Sequence, residues 1–121
     1  MIQPIFSTGE VPCSLTKREW DMYMMREIYQ AQRGKAPGVI AAFKILDQIF
    51  EQAGYANRRI YVDCDGPMDT VVYQFELESL DQYLTMERGV YVNPDADTQA
   101  LIDAFNTNAS SGRKEIYEVI Q

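Results

Sequence analysis

Apolar residues between positions 39 and 53 recur at spacings of three and four, which is the pattern of one face of an α-helix. They are Val39, Ile40, Phe43, Leu46, Ile49, Phe50 and Ala53. Pro37 and Gly38 precede this run, and proline is well tolerated in the first turn of a helix. Gly54 follows it, where glycine commonly ends a helix. The sequence therefore predicts a helix with a broad apolar face, which needs a second layer to pack against.

Strand patterns lie on both sides of this helix. Residues 58–64 alternate, with Ile60 and Val62 facing one way and Tyr61 and Asp63 the other. The turn-forming residues 65–68 join them to a second alternating run, 69–77, so together they predict a β-hairpin. Strands are also predicted at 22–32 and 113–121. A helix remains an alternative for 22–32, because methionine is not a strong strand former.

A second helical region is predicted after the hairpin. Ser79 is a candidate N-cap, since it stands three residues before Gln82. Gly89 is expected to interrupt the helix, and residues 90–94 are expected to link it to a further helical stretch, 97–109. The Ser-Ser-Gly sequence at 110–112 is expected to turn the chain into its last strand.

The predicted order is strand, helix, strand, strand, helix, strand. Two right-handed crossovers in this order give an α+β, ferredoxin-like βαββαβ fold with a four-stranded antiparallel sheet. Both helices then lie on one face, and the first and third strands are central. We assign residues 19–121 to this single domain, and residues 1–18 are interpreted as an N-terminal arm because Pro4, Gly9 and Pro12 interrupt any regular pattern.

The helices can cover only one face of such a sheet. To the opposite face we assign Val72 and a set of candidate pocket residues: Glu27, Tyr29, Tyr61, Asp63, Gln74, Glu76 and Tyr117. An apolar face studded with tyrosines is larger than the patches that monomers usually expose, so two copies are predicted to pair their sheets into a dimeric α+β barrel. The mixture of tyrosine, amide and carboxylate suits a small, partly polar pocket. A sheet with one solvated face is the alternative.

The segment Glu27-Ile28-Tyr29-Gln30-Ala31-Gln32-Arg33-Gly34-Lys35 resembles the R-T-Y-x-L-x-P-G-K opening strand of NIPSNAP-like domains. It differs in having Glu27 in place of arginine and Arg33 in place of proline. The resemblance extends, in pattern and element order, over residues 20–121. NIPSNAP-like domains belong to the dimeric α+β barrel superfamily, so the resemblance implies a homodimer with a pocket between sheet and helices. The superfamily includes cofactor-free monooxygenases, haem-degrading enzymes and isomerases, and the resemblance selects no single activity.

The 121-residue chain contains no histidine. This excludes Ser-His-Asp and Cys-His catalysis and histidine-ligated metal or haem. With no glycine-rich phosphate loop in the sequence either, we expect no cofactor and no metal. Haem bound through a tyrosine is the alternative that stays open. A carboxylate that is desolvated in an apolar cavity has a raised pKa and is a candidate general base, while a tyrosine can orient or protonate a ligand oxygen.

Charge and cysteine content limit the partners. The net charge is −7 with only 11 lysines and arginines, so we expect neither nucleic acid nor a membrane as a partner. Cys13 and Cys64 are too few and too far apart for a disulfide framework, and Cys64 lies in a strand pattern that suggests a small buried residue. Free thiols and the absence of a secretion signal near Met1 predict a cytoplasmic protein.

Two functions remain open from the sequence, and whether the protein is an enzyme is one of the open points. The first function is that of a homodimeric barrel that binds a small, partly aromatic molecule and acts on it without a metal, as a monooxygenase or an isomerase. The second is that of a non-catalytic interaction module, which uses its dimer surface and the apolar residues Ile2, Ile5 and Phe6 of the N-terminal arm.

Overall fold

The structure, a computed structural model, describes residues 21–121. The elements in chain order are β1 (Tyr23–Ala31), α1 (Ala36–Gln52), β2 (Ala56–Val62), β3 (Thr70–Leu77), α2 (Leu80–Val92), α3 (Ala96–Asn108) and β4 (Ala109–Glu118). The strands pair antiparallel in the order β2-β3-β1-β4. The predicted ferredoxin-like α+β architecture is therefore confirmed, with the first and third strands in the centre. The predicted arm, residues 1–18, lies outside the described residues.

Aromatic rings join α1 to the inner face of the sheet, which is the face toward the helices. The ring centroids of Phe43 and Tyr73 lie 5.3 Å apart, and those of Phe50 and Phe75 lie 4.9 Å apart. Aromatic pairs at such distances contribute about 0.5–1.5 kcal/mol each beyond the burial of their surface. Val39, Phe43 and Phe50 of the apolar face predicted for residues 39–53 are thus buried in the core, whereas Ile49 and Ala53 of that face are exposed.

The C-terminus of α1 follows the predicted glycine stop. Gly54 adopts a left-handed conformation with φ of 86°. The backbone N–H of Gly54 donates to the Glu51 carbonyl, and that of Tyr55 donates to the Phe50 carbonyl, both at 3.1 Å. These two bonds form a Schellman motif, which pairs carbonyls that would otherwise lack a partner at the helix end.

A shared carboxylate ties α1 to two strands. The Tyr73 hydroxyl and the Arg58 Nε both donate to Asp47 Oδ1, each at 2.8 Å. Tyr73 is fully buried, and a buried hydroxyl needs such a partner. Asp47 therefore fixes the orientation of α1 over β2 and β3.

The helix after the hairpin differs from its prediction at one end. Ser79 caps it as predicted, because its side chain accepts a hydrogen bond from the Gln82 N–H. The predicted interruption at Gly89 is wrong, since α2 continues to Val92. A glycine within a helix costs only about 1 kcal/mol relative to alanine, and the packing of flanking residues such as Tyr83 and Val90 outweighs that cost.

The turn predicted at residues 110–112 is also wrong, because these residues belong to β4. Helix α3 passes directly into the strand at Ala109. The register of β1 against β4 shifts between Gln30 and Ala31, which accommodates Ser110 as an extra residue in a β-bulge. The Ser110 hydroxyl donates to the Gln30 carbonyl at 3.0 Å. Ser110 thus forms a bulge and Gly112 allows close packing against Tyr29, and neither residue forms a turn.

Two further findings concern predictions from composition. Cys64 is free, but it is exposed, so the prediction that it is buried is wrong. It lies just beyond the end of β2, in the hairpin connection, where the alternation no longer determines burial. Within residues 21–121, no helix combines the length and apolar character needed to cross a bilayer.

Gly112 generates the first testable prediction. A Cβ atom at this position would lie 2.3 Å from a ring carbon of Tyr29, which is held between Phe43 and Phe105. Gly112→Ala should therefore lower the free energy of unfolding by about 1–3 kcal/mol, as overpacking does. Urea unfolding would measure this. Ser111→Ala, next to it on the opposite face of β4, is the control and should stay close to wild type; equal stability of both variants would contradict the close packing.

Candidate functional site

The structure places most of the predicted pocket residues on the outer face of the sheet, which is the face away from the helices. Tyr61 pairs with Val72 across β2 and β3, and Tyr117 pairs with Met24 across β4 and β1, so these residues share that face. The other predicted residues found there are Asp63, Gln74 and Glu76. Tyr61 and Tyr117 lie at opposite edges of the sheet, so a single chain does not bring them together.

Three of these outer-face residues have local partners. Asp63 accepts a hydrogen bond from the Thr70 N–H at 3.0 Å and so closes the β2–β3 hairpin. Glu76 accepts from the Asn57 side chain at 2.9 Å, and the Tyr117 hydroxyl donates to Glu115 at 2.8 Å. These contacts are typical of a structured sheet surface and do not assemble a catalytic group.

The assignment of Glu27 and Tyr29 to the outer face is wrong. Glu27 pairs with Tyr73, and Tyr29 pairs with Val71, and both partners belong to the fully buried inner face. Strand β1 is central and carries apolar residues on both faces, so its alternation does not indicate which face is inner. A carboxylate normally marks the solvated face, but here Glu27 is only 7% exposed.

Glu27 and Tyr29 instead line a cavity between the sheet and all three helices. Its volume is about 130 Å³. The lining is mostly apolar and comprises Glu27, Tyr29, Leu46, Ile49, Phe50, Tyr83, Met86, Glu87, Val90, Tyr91, Thr98, Leu101, Ile102 and Phe105. Ile49, Met86 and Tyr91 are partly exposed and mark the mouth. The resemblance to NIPSNAP-like domains implied a pocket in this location, whereas the reasoning from individual residues placed it on the other face.

A small group of polar side chains lies at the wall of this cavity. The Tyr83 hydroxyl lies 3.3 Å from Glu27 Oε2 and 3.2 Å from Glu87 Oε2. Tyr83 and Glu87 are four residues apart on α2 and so lie on the same side of the helix. Lys114 stands opposite Glu27 in the β1–β4 register, and its Nζ forms an ion pair with Glu87. Two carboxyls, a phenol and an amine are thus brought together from three elements.

Burial dominates the electrostatics of this group. It raises the pKa of Glu27, and the Lys114 charge and the Tyr83 hydrogen bond only partly oppose that rise. Burial also raises the pKa of Tyr83, with the Glu27 charge adding to the effect. The pKa of Tyr29 rises to about 12 for the same two reasons. The tyrosines therefore stay protonated at neutral pH, and Glu27 is the group whose protonation can change.

Chemically, this arrangement can exchange a proton with a bound molecule and donate hydrogen bonds to its oxygen. Metal binding has no support in the part of the chain that is described, because residues 21–121 contain no cluster of three or more cysteine, aspartate or glutamate side chains placed to hold an ion. Sequence reasoning missed Tyr83, Glu87, Tyr91 and Lys114. The spacing of Tyr83 and Glu87 was a usable signal, whereas the position of Lys114 required the strand register.

Solved structures share this fold over most of their length. A NIPSNAP family protein from Agrobacterium tumefaciens has a TM-score of 0.61 and 22% identity, covering 83% of this chain and 87% of that chain. A second NIPSNAP family protein of unknown function from the same organism has a TM-score of 0.66 and 12% identity, covering 84% and 91%. A Nitrosomonas europaea protein, provisionally named an antibiotic biosynthesis monooxygenase, has a TM-score of 0.64 and 14% identity, covering 82% and 90%.

The chain therefore has the ferredoxin-like, NIPSNAP-like fold that the sequence predicted. No family model matches the sequence, and no curated protein matches it. At these identities the likeness establishes the fold, and the function has to be argued from the site.

The buried carboxyl predicts a specific dependence of stability on pH. Glu27 titrates near 4.5 when unfolded, and burial raises its pKa in the folded protein. Between these two values the folded state binds more protons, so its stability falls as the pH rises. The wild type should lose up to about 1.4 kcal/mol per pH unit through this interval, a loss that Glu27→Gln should lack. Urea unfolding of both proteins across this range measures the difference; parallel curves would contradict the burial of an ionisable Glu27.

Proposed function

We propose that this domain binds a small, largely apolar ring compound in the cavity between sheet and helices, and that Glu27 exchanges a proton with it. The observation that carries this proposal is the burial of an ionisable carboxyl in the wall of an otherwise apolar cavity. Perturbed acids in clefts are candidates for functional groups because burial costs free energy that a purely structural residue would avoid. Glu27 is therefore the proposed acid–base residue.

The size of the cavity limits the ligand. A dry apolar cavity of about 150 Å³ accommodates a benzene molecule, and the cavity here measures about 130 Å³. A single aromatic ring fills it, whereas a fused polycyclic compound would extend through the mouth between Ile49, Met86 and Tyr91. The aromatic rings of Tyr29, Phe50 and Phe105 supply the surfaces that a planar ligand contacts.

The polar lining favours a ligand that carries an oxygen. Glu27 lies in the wall, and a protonated carboxyl there can donate a hydrogen bond to a developing oxyanion on the ligand. After losing its proton, Glu27 can remove one from a ring hydroxyl or from a carbon next to a carbonyl. Removal of a proton from one carbon and its return to a different atom of the resulting anion is an isomerisation, which requires no metal.

Oxygenation is the second candidate reaction. The similarity to the Nitrosomonas europaea protein, provisionally named a monooxygenase, supports it at the level of fold. Metal-free oxygenation of a phenol begins with the same proton removal and then requires molecular oxygen as a second substrate. The two candidates therefore share the role of Glu27 and differ in what the deprotonated ligand reacts with.

We also propose that two copies pair through their outer faces. The charged residues of that face are balanced, although the whole chain carries −7. They are Arg26, Arg59 and Arg113 with Asp63, Glu76 and Glu115. A neutral face brings two copies together without charge repulsion.

A cytoplasmic location is part of the same proposal. The free thiol of Cys64 is exposed, which suits a reducing compartment. The alternative function, an interaction module that uses residues 1–18, stays a prediction because those residues lie outside the described part of the chain.

A matched pair of substitutions tests the ligand site. Val90 lines the cavity, while Val92 lies on the same helix and is 83% exposed. Val90→Trp should fill the cavity and weaken the binding of phenol or a cresol at least about tenfold, and Val92→Trp should leave it unchanged. Titration calorimetry with a panel of single-ring phenols, ketones and acids measures this.

The same panel separates the candidate sites and functions. Binding that survives Val90→Trp but is lost in Tyr61→Ala would move the site to the outer face and contradict the proposal. Failure of every compound to bind the wild type would remove the small-molecule function and favour the interaction module, which deletion of residues 1–18 would then test.

The dimer has its own test. Val72 lies at the centre of the outer face, and Ile45 lies exposed on α1, on the other side of the molecule. We expect light scattering to give twice the monomer mass of 13.9 kDa for the wild type and for Ile45→Arg. Val72→Arg should give the monomer mass, because it places an unpaired charge in the interface. A monomeric wild type at micromolar concentration would contradict the pairing.

A further inference from the structure

One hydroxyl serves two carboxyl groups beside the cavity. Tyr83 is 1% exposed, and its hydroxyl lies 3.3 Å from Glu27 Oε2 and 3.2 Å from Glu87 Oε2. A phenol has a single proton to donate. Both contacts are therefore hydrogen bonds at the same time only when one of the two carboxyls is protonated and donates to the Tyr83 oxygen.

The surroundings indicate which carboxyl carries the proton. Glu27 is buried and has Tyr83 as its hydrogen-bond partner, whereas Glu87 is paired with the Lys114 ammonium. A paired carboxylate keeps its charge more readily than a buried one. The resting chain therefore runs from the Glu27 carboxyl to Tyr83, and from Tyr83 to the Glu87 carboxylate.

The far end of this chain reaches solvent. The side chain of Glu87 is 20% exposed and that of Lys114 is 35% exposed, while Glu27 and Tyr83 are almost fully enclosed. Glu27, Tyr83 and Glu87 all line the cavity, and of the three Glu87 is the most exposed, so the hydrogen-bonded chain runs from an enclosed carboxyl to one that contacts water. Lys114 stands opposite Glu27 in the strand register, but it forms an ion pair with Glu87. This ion pair holds the Glu87 carboxylate in place at the end of the hydrogen-bonded chain.

We propose that Tyr83 and Glu87 form a proton relay that connects Glu27 with solvent. This inference rests on the proposed function, because it explains how the enclosed Glu27 loses the proton that it carries at rest and becomes able to remove a proton from a ligand. In one concerted step, Glu27 gives its proton to the Tyr83 oxygen while Tyr83 gives its own proton to Glu87. Tyr83 stays neutral throughout, one proton moves from Glu27 to Glu87, no electrons are transferred, and Glu87 then releases the proton to water.

Other titratable groups also face Glu27. They are Tyr29 on the same strand, Tyr73 on β3, Tyr91 on α2 and Lys114 on β4. The tyrosines have raised pKa values and so hold their protons, and Lys114 contacts Glu87. The hydrogen bond at the Glu27 carboxyl leads to Tyr83, and Tyr83 also contacts Glu87, so Tyr83 and Glu87 are the positions to test.

The relay is measured without any ligand. After a rapid pH jump, time-resolved infrared spectroscopy follows the protonated Glu27 carboxyl, whose band is identified by its loss in Glu27→Gln. Tyr83→Phe breaks the chain but keeps the Glu87 charge, and Glu87→Gln removes the outer acceptor. Asp103→Asn, an exposed acid on α3, is the control.

We expect Glu27 to reach its new protonation state at least about tenfold more slowly in Tyr83→Phe and in Glu87→Gln than in the wild type. The Asp103→Asn control should keep the wild-type rate. Carboxyl-carbon NMR titration gives the equilibrium pKa of Glu27 separately, so a change in pKa is not mistaken for a change in rate. Thermal melting checks that each variant is folded.

A wild-type rate in either variant would overturn the relay, because Glu27 would then exchange its proton with water by another path. This outcome is independent of the ligand experiment. If no ring compound binds while both variants slow the exchange, the relay stands and the proposed function fails. If ring compounds bind while both variants keep the wild-type exchange rate, the proposed function stands and the relay fails.

Discussion

The contact between the aromatic rings of α1 and the inner face of β3 determines the rest of this structure. Phe43 stacks on Tyr73 and Phe50 meets Phe75 edge to face, and this layer sets the spacing between α1 and the sheet. The cavity adjoins this layer, because Phe50 belongs to both and Glu27 and Tyr29 of β1 complete the wall. The site is thus a consequence of how the core is filled.

The fold was predictable because each element carried a strong local signal. The apolar spacing of α1, the glycine at its end and the cap at Ser79 each depend on residues that are close together in the sequence. They can therefore be recognised from the sequence alone. The predictions of a helix interruption at Gly89 and of a turn at residues 110–112 were wrong for a common reason. Glycine is a general signal for chain breaks, but at Gly112 its absent side chain makes room for the Tyr29 ring across the strand pair. This requirement for glycine arises from the pairing of β1 with β4, so the residues next to Gly112 in the sequence do not reveal it.

The site was less predictable, and Glu27 shows why. In a strand, alternation separates two faces without stating which is inner, and on a central strand both faces carry apolar residues. Because a carboxylate is ordinarily solvated, the presence of Glu27 favoured assigning its side of β1 to the outer face of the sheet. The structure reverses that assignment because Tyr83 and Lys114, distant in sequence, supply the polar surroundings that burial demands. Functional acids are the residues for which the ordinary rule of burial fails, so face assignments should be weakest at such positions.

The bulge at Ser110 has a consequence for how the protein behaves at high concentration. Strand β4 is an edge strand and presents backbone groups that could pair with another chain. The extra residue twists the start of this edge and removes its regular repeat. An incoming strand can therefore match only part of β4, so continuous growth of the sheet from molecule to molecule is disfavoured. At this end of β4 the irregularity therefore limits edge-to-edge pairing between molecules.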